Sequence, residues 1–241
     1  MEREHIVKSF DKDLGQIESL LLEMGGIVET QISSAVKALV DRDIELGEQV
    51  RAQDKRVDDL EMQIDDLAIR LLALRQPVAE DLRAVVCALK VSANLERIGD
   101  YSKNIAKRTT VLASGGDING SAAALRRMAR EVERMLRDAL DAYIQRDAEL
   151  AAEVIDRDEE VDQMYNGLFR ELLTFMAEDP RNISSCMHLH FIAKNIEHMG
   201  DHVTNIAEQV VYLVTGELPE EARQKQDQTS TNPNLSPSEP A

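Results

Sequence analysis

Asn94-Leu-Glu96-Arg97-Ile-Gly99-Asp100-Tyr-Ser-Lys-Asn104-Ile105-Ala106 returns 101 positions later as Asn195-Ile-Glu197-His198-Met199-Gly200-Asp201-His-Val-Thr-Asn205-Ile206-Ala207. A second block matches upstream at an offset of 104. There Arg42-Asp43 pairs with Arg146-Asp147, Leu46 with Leu150, and Val50 with Val154. Asp54 and Asp58 pair with Asp158 and Asp162, and Pro77 and Pro180 fall at one common break. Two blocks repeating in the same order identify a tandem duplication of a single unit.

Each unit reads as three helices. Val57, Leu60, Ile64, Leu67, Leu71 and Leu74 alternate three and four apart, the seam of a bundle helix. Leu82, Val85, Val86, Leu89, Leu95, Ile98 and Ile105 make another stripe. Val161, Met164, Leu168, Leu172 and Phe175 make a third, less regular one. Asp43 is a plausible N-cap after a first helix from about Ser9 to Asp41, and Asp147 occupies the matching place. Gly25-Gly26 lies inside that first helix and is a candidate bend. The sequence therefore predicts an all-α fold, a tandem repeat of two three-helix bundles with six long helices. The expected bounds are 1–113 for the first bundle, 114–120 for a Gly-rich linker and 121–216 for the second bundle. The Pro- and Ser-rich stretch 217–241 has little to bury and reads as a disordered tail.

Composition agrees. The chain of 241 residues has no Trp, four Tyr and four Phe, which disfavours a β-sandwich or barrel. Its net charge of -17 gives no electrostatic reason to bind nucleic acid broadly. Two cysteines, Cys87 and Cys186, make no disulfide framework and fit small core positions in a reducing compartment. The charged start, Met1-Glu2-Arg3-Glu4-His5, is unlike a signal peptide, and no apolar run is long enough to span a membrane. A cytoplasmic location is expected.

The repeated residues that carry chemistry are acidic. Asp54 and Asp58, Glu96 and Asp100, Asp158 and Asp162, and Glu197 and Asp201 form four pairs, each four residues apart. Such spacing puts two carboxylates side by side on one helix face, which is mildly repulsive unless a cation intervenes. If the second and third helices of a unit pack antiparallel, its two pairs meet and offer four carboxylates to metal. Asn104 and Asn205 continue each line with an amide oxygen. Oxygen donors suit magnesium, manganese or ferric iron, with zinc also possible. The alternative reading of the same pairs is a solvated acidic face. Gly99 and Gly200 read either as points of close helix approach or as clearance for a metal or partner. His198 and His202 flank the second pair, as extra ligands or as residues without metal. His188 and His190, two apart, point to different faces. The one Glu-x-x-His spacing, Glu2 to His5, lies at the terminus, which argues against a di-iron oxidase of the ferritin-like type.

The paired motifs, the Arg75-Gln76-Pro77-Val78-Ala79-Glu80-Asp81-Leu82-Arg83 segment and the duplicated units together resemble the PhoU family over about residues 5–216. The resemblance implies two similar three-helix bundles and metal clusters, iron or zinc in some members, on their acidic pairs. Carried over, one site would use Asp54, Asp58, Glu96 and Asp100, and the other Asp158, Asp162, Glu197 and Asp201. His198 and Met199 stand where the family usually has Arg and Ile. The implied role is non-catalytic: a cytoplasmic negative regulator of the phosphate-starvation response when phosphate is plentiful. Its implied partners are the sensor histidine kinase and the ATPase of the phosphate ABC transporter, and it would be a homodimer or larger. The competing class is a metal-dependent enzyme or metal-storage protein on a helical bundle.

Overall fold

The computed structural model describes residues 2–113 and 119–219. In chain order they form α1 (Glu2–Asp41), α2 (Ile44–Arg75), α3 (Glu80–Ala113), α4 (Asn119–Gln145), α5 (Ala148–Glu178), a short 3-10 turn (Pro180–Asn182) and α6 (Ile183–Thr215). No strand occurs among the described residues. The expected linker extends to 120, but helix α4 already begins at Asn119. The rest of that linker, 114–118, and most of the expected tail, 220–241, lie outside the described residues.

The repeated Arg-Asp dipeptides build matching corners. Arg42 and Arg146 take left-handed backbone angles, with φ of 56° and 55°. The next amide closes the preceding helix, from Asp43 N–H to the Ala38 carbonyl at 2.8 Å and from Asp147 N–H to the Ala142 carbonyl at 3.0 Å. The aspartates then cap the following helix. Asp43 accepts from the Leu46 amide, and Asp147 from those of Glu149 and Leu150. The two proline breaks differ in detail. Gln76 ends α2 in the left-handed region, whereas Asp179 and Pro180 open the 3-10 turn.

Ile17, Leu21, Met24, Val28, Ile32, Ala35 and Leu39 line the buried face of α1, and Val57, Leu60, Ile64 and Leu71 that of α2. Leu74 and Leu82, counted above as stripe residues, are 75% and 42% exposed. They lie at the two helix ends beside the 76–79 connection, where the neighbouring helices no longer cover them. Cys87 and Cys186 are buried and unpaired, and burial raises both thiols. The α1 helix runs unbroken through Gly25-Gly26, and Gly25 is where the α4 residue Leu140 comes closest.

Helices α1–α3 form one bundle and α4–α6 the other, and the two are joined broadly. The α3 helix packs on α6 as extensively as on α1 and α2, while α1 also packs on α4. Asn94, Tyr101 and Arg108 on α3 contact respectively His202, His198 and His188 on α6, so the repeated helices run antiparallel. This seam places the two copies of the acidic motif next to each other.

Candidate metal centre

In the first bundle the quartet gathers on facing turns of α2 and α3. Asp54 is buried, Asp58 is exposed, and Glu96 and Asp100 are half-buried. Gly99 makes the approach possible. A Cβ there would lie 3.2 Å from Gln31 Oε1 and 3.5 Å from Asp54 Oδ1. The Lys103 ammonium bridges the two helices, 2.5 Å from Asp54 Oδ2 and 3.1 Å from Asp100 Oδ1. Arg97 lies 3.4 Å from Glu96 and 3.7 Å from Asp100. Repulsion is still evident. Burial and the neighbouring Asp100 push the Glu96 carboxyl up to about 7. Burial, then Asp54, raises Asp58.

Three further residues belong to this cluster. Glu61 and Asp65 extend Asp54 and Asp58 along α2, and burial followed by Asp65 and Asp58 raises Glu61. The 54-58-61-65 spacing was available to find them. Gln31 on α1 is fully buried, and neither of its amide atoms has a hydrogen-bond partner. Its signal is a polar residue between Val28 and Ala35 on an apolar stripe.

The second bundle differs. Asp158, Asp162 and Glu197 are buried and Asp201 is half-buried. At the 104 offset, Glu61 and Asp65 become Tyr165 and Phe169, and Gln31 becomes Met135. Apolar cover therefore replaces carboxylates and amide. Asp158 packs toward Gly200, with Oδ1 3.0 Å from where a Cβ would stand. Among the described residues three donors converge at one place, Glu197, His198 and Asp201, with one ligand atom from each within 4.8 Å of the others; Asp158, Asp162 and the first bundle's quartet do not form such a group. His198 Nδ1 lies 3.0 Å from Glu197 Oε2 and 3.4 Å from Asp201 Oδ2. The Asp201 contact, then the Glu197 one, raises the imidazole to about 9. Lys194 Nζ lies 3.1 Å from Glu197 Oε1. Of the histidines left open by the sequence, His198 thus sits among potential ligands. His202 Nδ1 instead lies 2.8 Å from Asn94 Oδ1. His188 meets Arg108, and His190 packs with Tyr165 and Phe169, so they share no site.

The two clusters meet across the seam. The Tyr101 ring lies 5.6 Å from His198 and 5.7 Å from His202. Burial raises its hydroxyl, and Asp201, Glu197 and Asp100 add to the rise from both sides. Asn104, the expected amide continuation of the first line, is exposed, while Asn205 turns its amide toward Asn94 at 3.4 Å. In the first bundle the chemistry of the donors fits a hard cation: neighbouring carboxylates, one of them kept protonated by burial and then by Asp100, and an unpartnered buried amide near Asp54.

Comparison with known proteins returns the same architecture. The PhoU domain matches at residues 21–109 and again at 125–210, once per bundle. A protein of Rhizobium meliloti (strain 1021), named phosphate-specific transport system accessory protein PhoU homolog, is 45% identical over 96% of this chain and 98% of its own length. A Caulobacter vibrioides (strain NA1000 / CB15N) protein of the same name is 46% identical over 93% of this chain and 97% of its own. The crystal structure of PhoU from Pseudomonas aeruginosa superposes with a TM-score of 0.84 at 41% identity, covering 86% of this chain and all 100% of that one. The phosphate transport system regulatory protein PhoU from Streptococcus pneumoniae gives a TM-score of 0.79 at 30% identity, over 88% and 100%. With both bundles matched separately and relatives aligned almost end to end, the chain belongs to the PhoU family.

Proposed function

We propose that this chain is a non-catalytic accessory protein of phosphate transport that restrains the phosphate-starvation response when phosphate is plentiful. It acts as a cytoplasmic adaptor between the ATPase of the phosphate ABC transporter and the sensor histidine kinase, as a homodimer. The observation that carries this reading is the near end-to-end similarity to proteins named as phosphate-specific transport accessory proteins. No helix among the described residues is long and apolar enough to cross a membrane. In this reading the adaptor meets the membrane through its partners.

The acidic clusters bind metal in this reading: Asp54, Asp58, Glu96 and Asp100 in one bundle, Asp158, Asp162, Glu197 and Asp201 in the other. Iron or zinc is the family's suggestion, and the oxygen donors also suit manganese or magnesium. A bound cation would relieve the carboxylate repulsion in the first bundle. The functional test is deletion of the gene. Phosphate-regulon genes should stay switched on in high phosphate, and the wild-type copy should restore repression. Normal repression in the deletion strain would overturn the regulatory role. Recovery of neither transporter ATPase nor sensor kinase from phosphate-replete cells would overturn the adaptor.

A further inference from the structure

We propose that Lys103 is a resident counter-cation of the first acidic cluster, which a divalent ion must displace. The inference rests on the reading that these clusters take metal. Lys103 Nζ lies 2.5 Å from Asp54 Oδ2 on α2 and 3.1 Å from Asp100 Oδ1 on α3. It thus stands between the two carboxylates that face each other across the helices. A divalent cation shared by the same oxygens and this ammonium exclude each other by volume and by charge.

Two observations make the position a cation site rather than a surface ion pair. Asp54 is buried; Oδ2 meets the ammonium, while Oδ1 and Gln31 Oε1 lie 3.5 Å and 3.2 Å from the point where a Gly99 Cβ would stand. There the fully buried Gln31 carboxamide has no hydrogen-bond partner on either polar atom. An orphaned amide beside a buried carboxylate oxygen points to a ligand that one ammonium at the outer edge does not replace. Lys103, in turn, is free to leave. Its side chain is 41% exposed, so the head can swing into water while its stem stays on α3.

The duplication supplies an internal comparison. Thr204 stands 101 positions after Lys103. It is fully buried, and its hydroxyl donates to the Asp201 carbonyl at 2.8 Å. No ammonium enters the second cluster from that position. Its lysine is Lys194, from the preceding turn, held over the Tyr165 ring at 5.0 Å. Ala93 is the matching residue in the first bundle. Each copy thus acquired its own internal cation from an unmatched position.

The test titrates full-length protein with Mn2+, followed by electron paramagnetic resonance and by melting temperature. Second-cluster binding is suppressed by Glu197→Gln with Asp201→Asn. In that background Lys103→Met should bind Mn2+ about tenfold more tightly, the scale of removing one competing charge at a partly hydrated site. Its metal-free form should melt lower and its Mn2+-induced rise in melting temperature should be larger. Lys103→Arg should leave Mn2+ affinity close to that of the background. Lys103→Gln, which keeps a hydrogen-bond donor for Asp54, serves if Lys103→Met fails to fold. Unchanged or weaker Mn2+ binding on removing the charge, with the background still binding, would overturn the role of Lys103 and leave the metal reading standing. If neither wild type nor any variant binds Mn2+, zinc or iron, the metal reading falls and this inference with it.

Discussion

At the scale of single residues, the motif glycines and the motif carboxylates explain each other. Gly200 and Gly99 leave room for Asp158 and Asp54, whereas Gly26 has nothing within 4 Å of its Cβ position. Alanine is favoured over glycine inside a helix by about 1 kcal/mol. Gly26→Ala should therefore stabilise the protein by ~0.5–1 kcal/mol. Gly200→Ala should instead cost about 1–3 kcal/mol, because its Cβ meets a buried carboxylate oxygen at 3.0 Å. Urea denaturation of both variants checks the opposite signs; a stabilised Gly200→Ala protein would contradict the packing role. Protonation gives a second test. With its carboxyl raised from 4.5 to about 7, folded Glu96 keeps a proton that the unfolded chain has released. The folded state binds more protons in that window, so stability falls as pH rises from 4.5 to about 7. His198, raised from 6.5 to about 9, contributes stability that is complete below 6.5 and lost as pH rises through about 9. In metal-free protein, Glu96→Gln should remove the first decline and gain relative stability at neutral pH. His198→Gln should flatten the second decline and lose stability near the acidic end of its window. Stability curves against pH that keep both slopes in these variants would rule out the assignments.

Elements follow from short local signals, and these were the most legible part of the chain. The Arg-Asp dipeptides mark helix corners because an aspartate accepts from the first amides of the next helix whatever lies around it. Asp43→Ala and Asp147→Ala should each cost about 1 kcal/mol by urea denaturation, with Asp147→Ala the larger since that side chain serves two amides. Equal and negligible effects would mean that packing alone fixes the corners. The apolar stripes also placed the core, and they failed at Leu74 and Leu82 because periodicity says which face a residue is on and not where the covering helix stops. The acidic quartets could be read as pairs along one helix. What they face across the bundle could not. Nothing in the α2 spacing announces that Gln31 of α1 lies behind Asp54, or that Lys103 stands between Asp54 and Asp100. Nor did the matched carboxylates reveal that Tyr165 and Phe169 replace Glu61 and Asp65, since the repeat was traced through what the halves share.

For the whole molecule, the duplication predicts two bundles joined by a linker and says nothing of how they meet; α3 and α6 each pack within their own bundle and against one another. The seam escaped the sequence reading because many of its contacts are polar or aromatic. Asn94 meets His202 and Asn205, Tyr101 meets two histidines, and the Arg108 guanidinium lies 4.8 Å from the Phe191 ring centre. Ion pairs tie the halves further, Arg126 to Asp41 at 3.0 Å and Arg146 to Glu18 at 2.6 Å, though exposed pairs of this kind add little each. Unfolding one bundle would strip the shared helix face from the other. The halves should therefore unfold together. Leu60→Ala in α2 and Leu168→Ala in α5 remove buried side chains deep in separate bundles, each at a cost of about 2–5 kcal/mol. In differential scanning calorimetry of metal-free protein, each variant should keep a single transition moved to lower temperature, with the calorimetric and van't Hoff enthalpies in agreement. Independent bundles would behave otherwise: the damaged half would melt early and the intact half would keep its original midpoint, giving two peaks. Two peaks in either variant would show that the α3–α6 seam is too weak to make one folding unit of the duplicated chain.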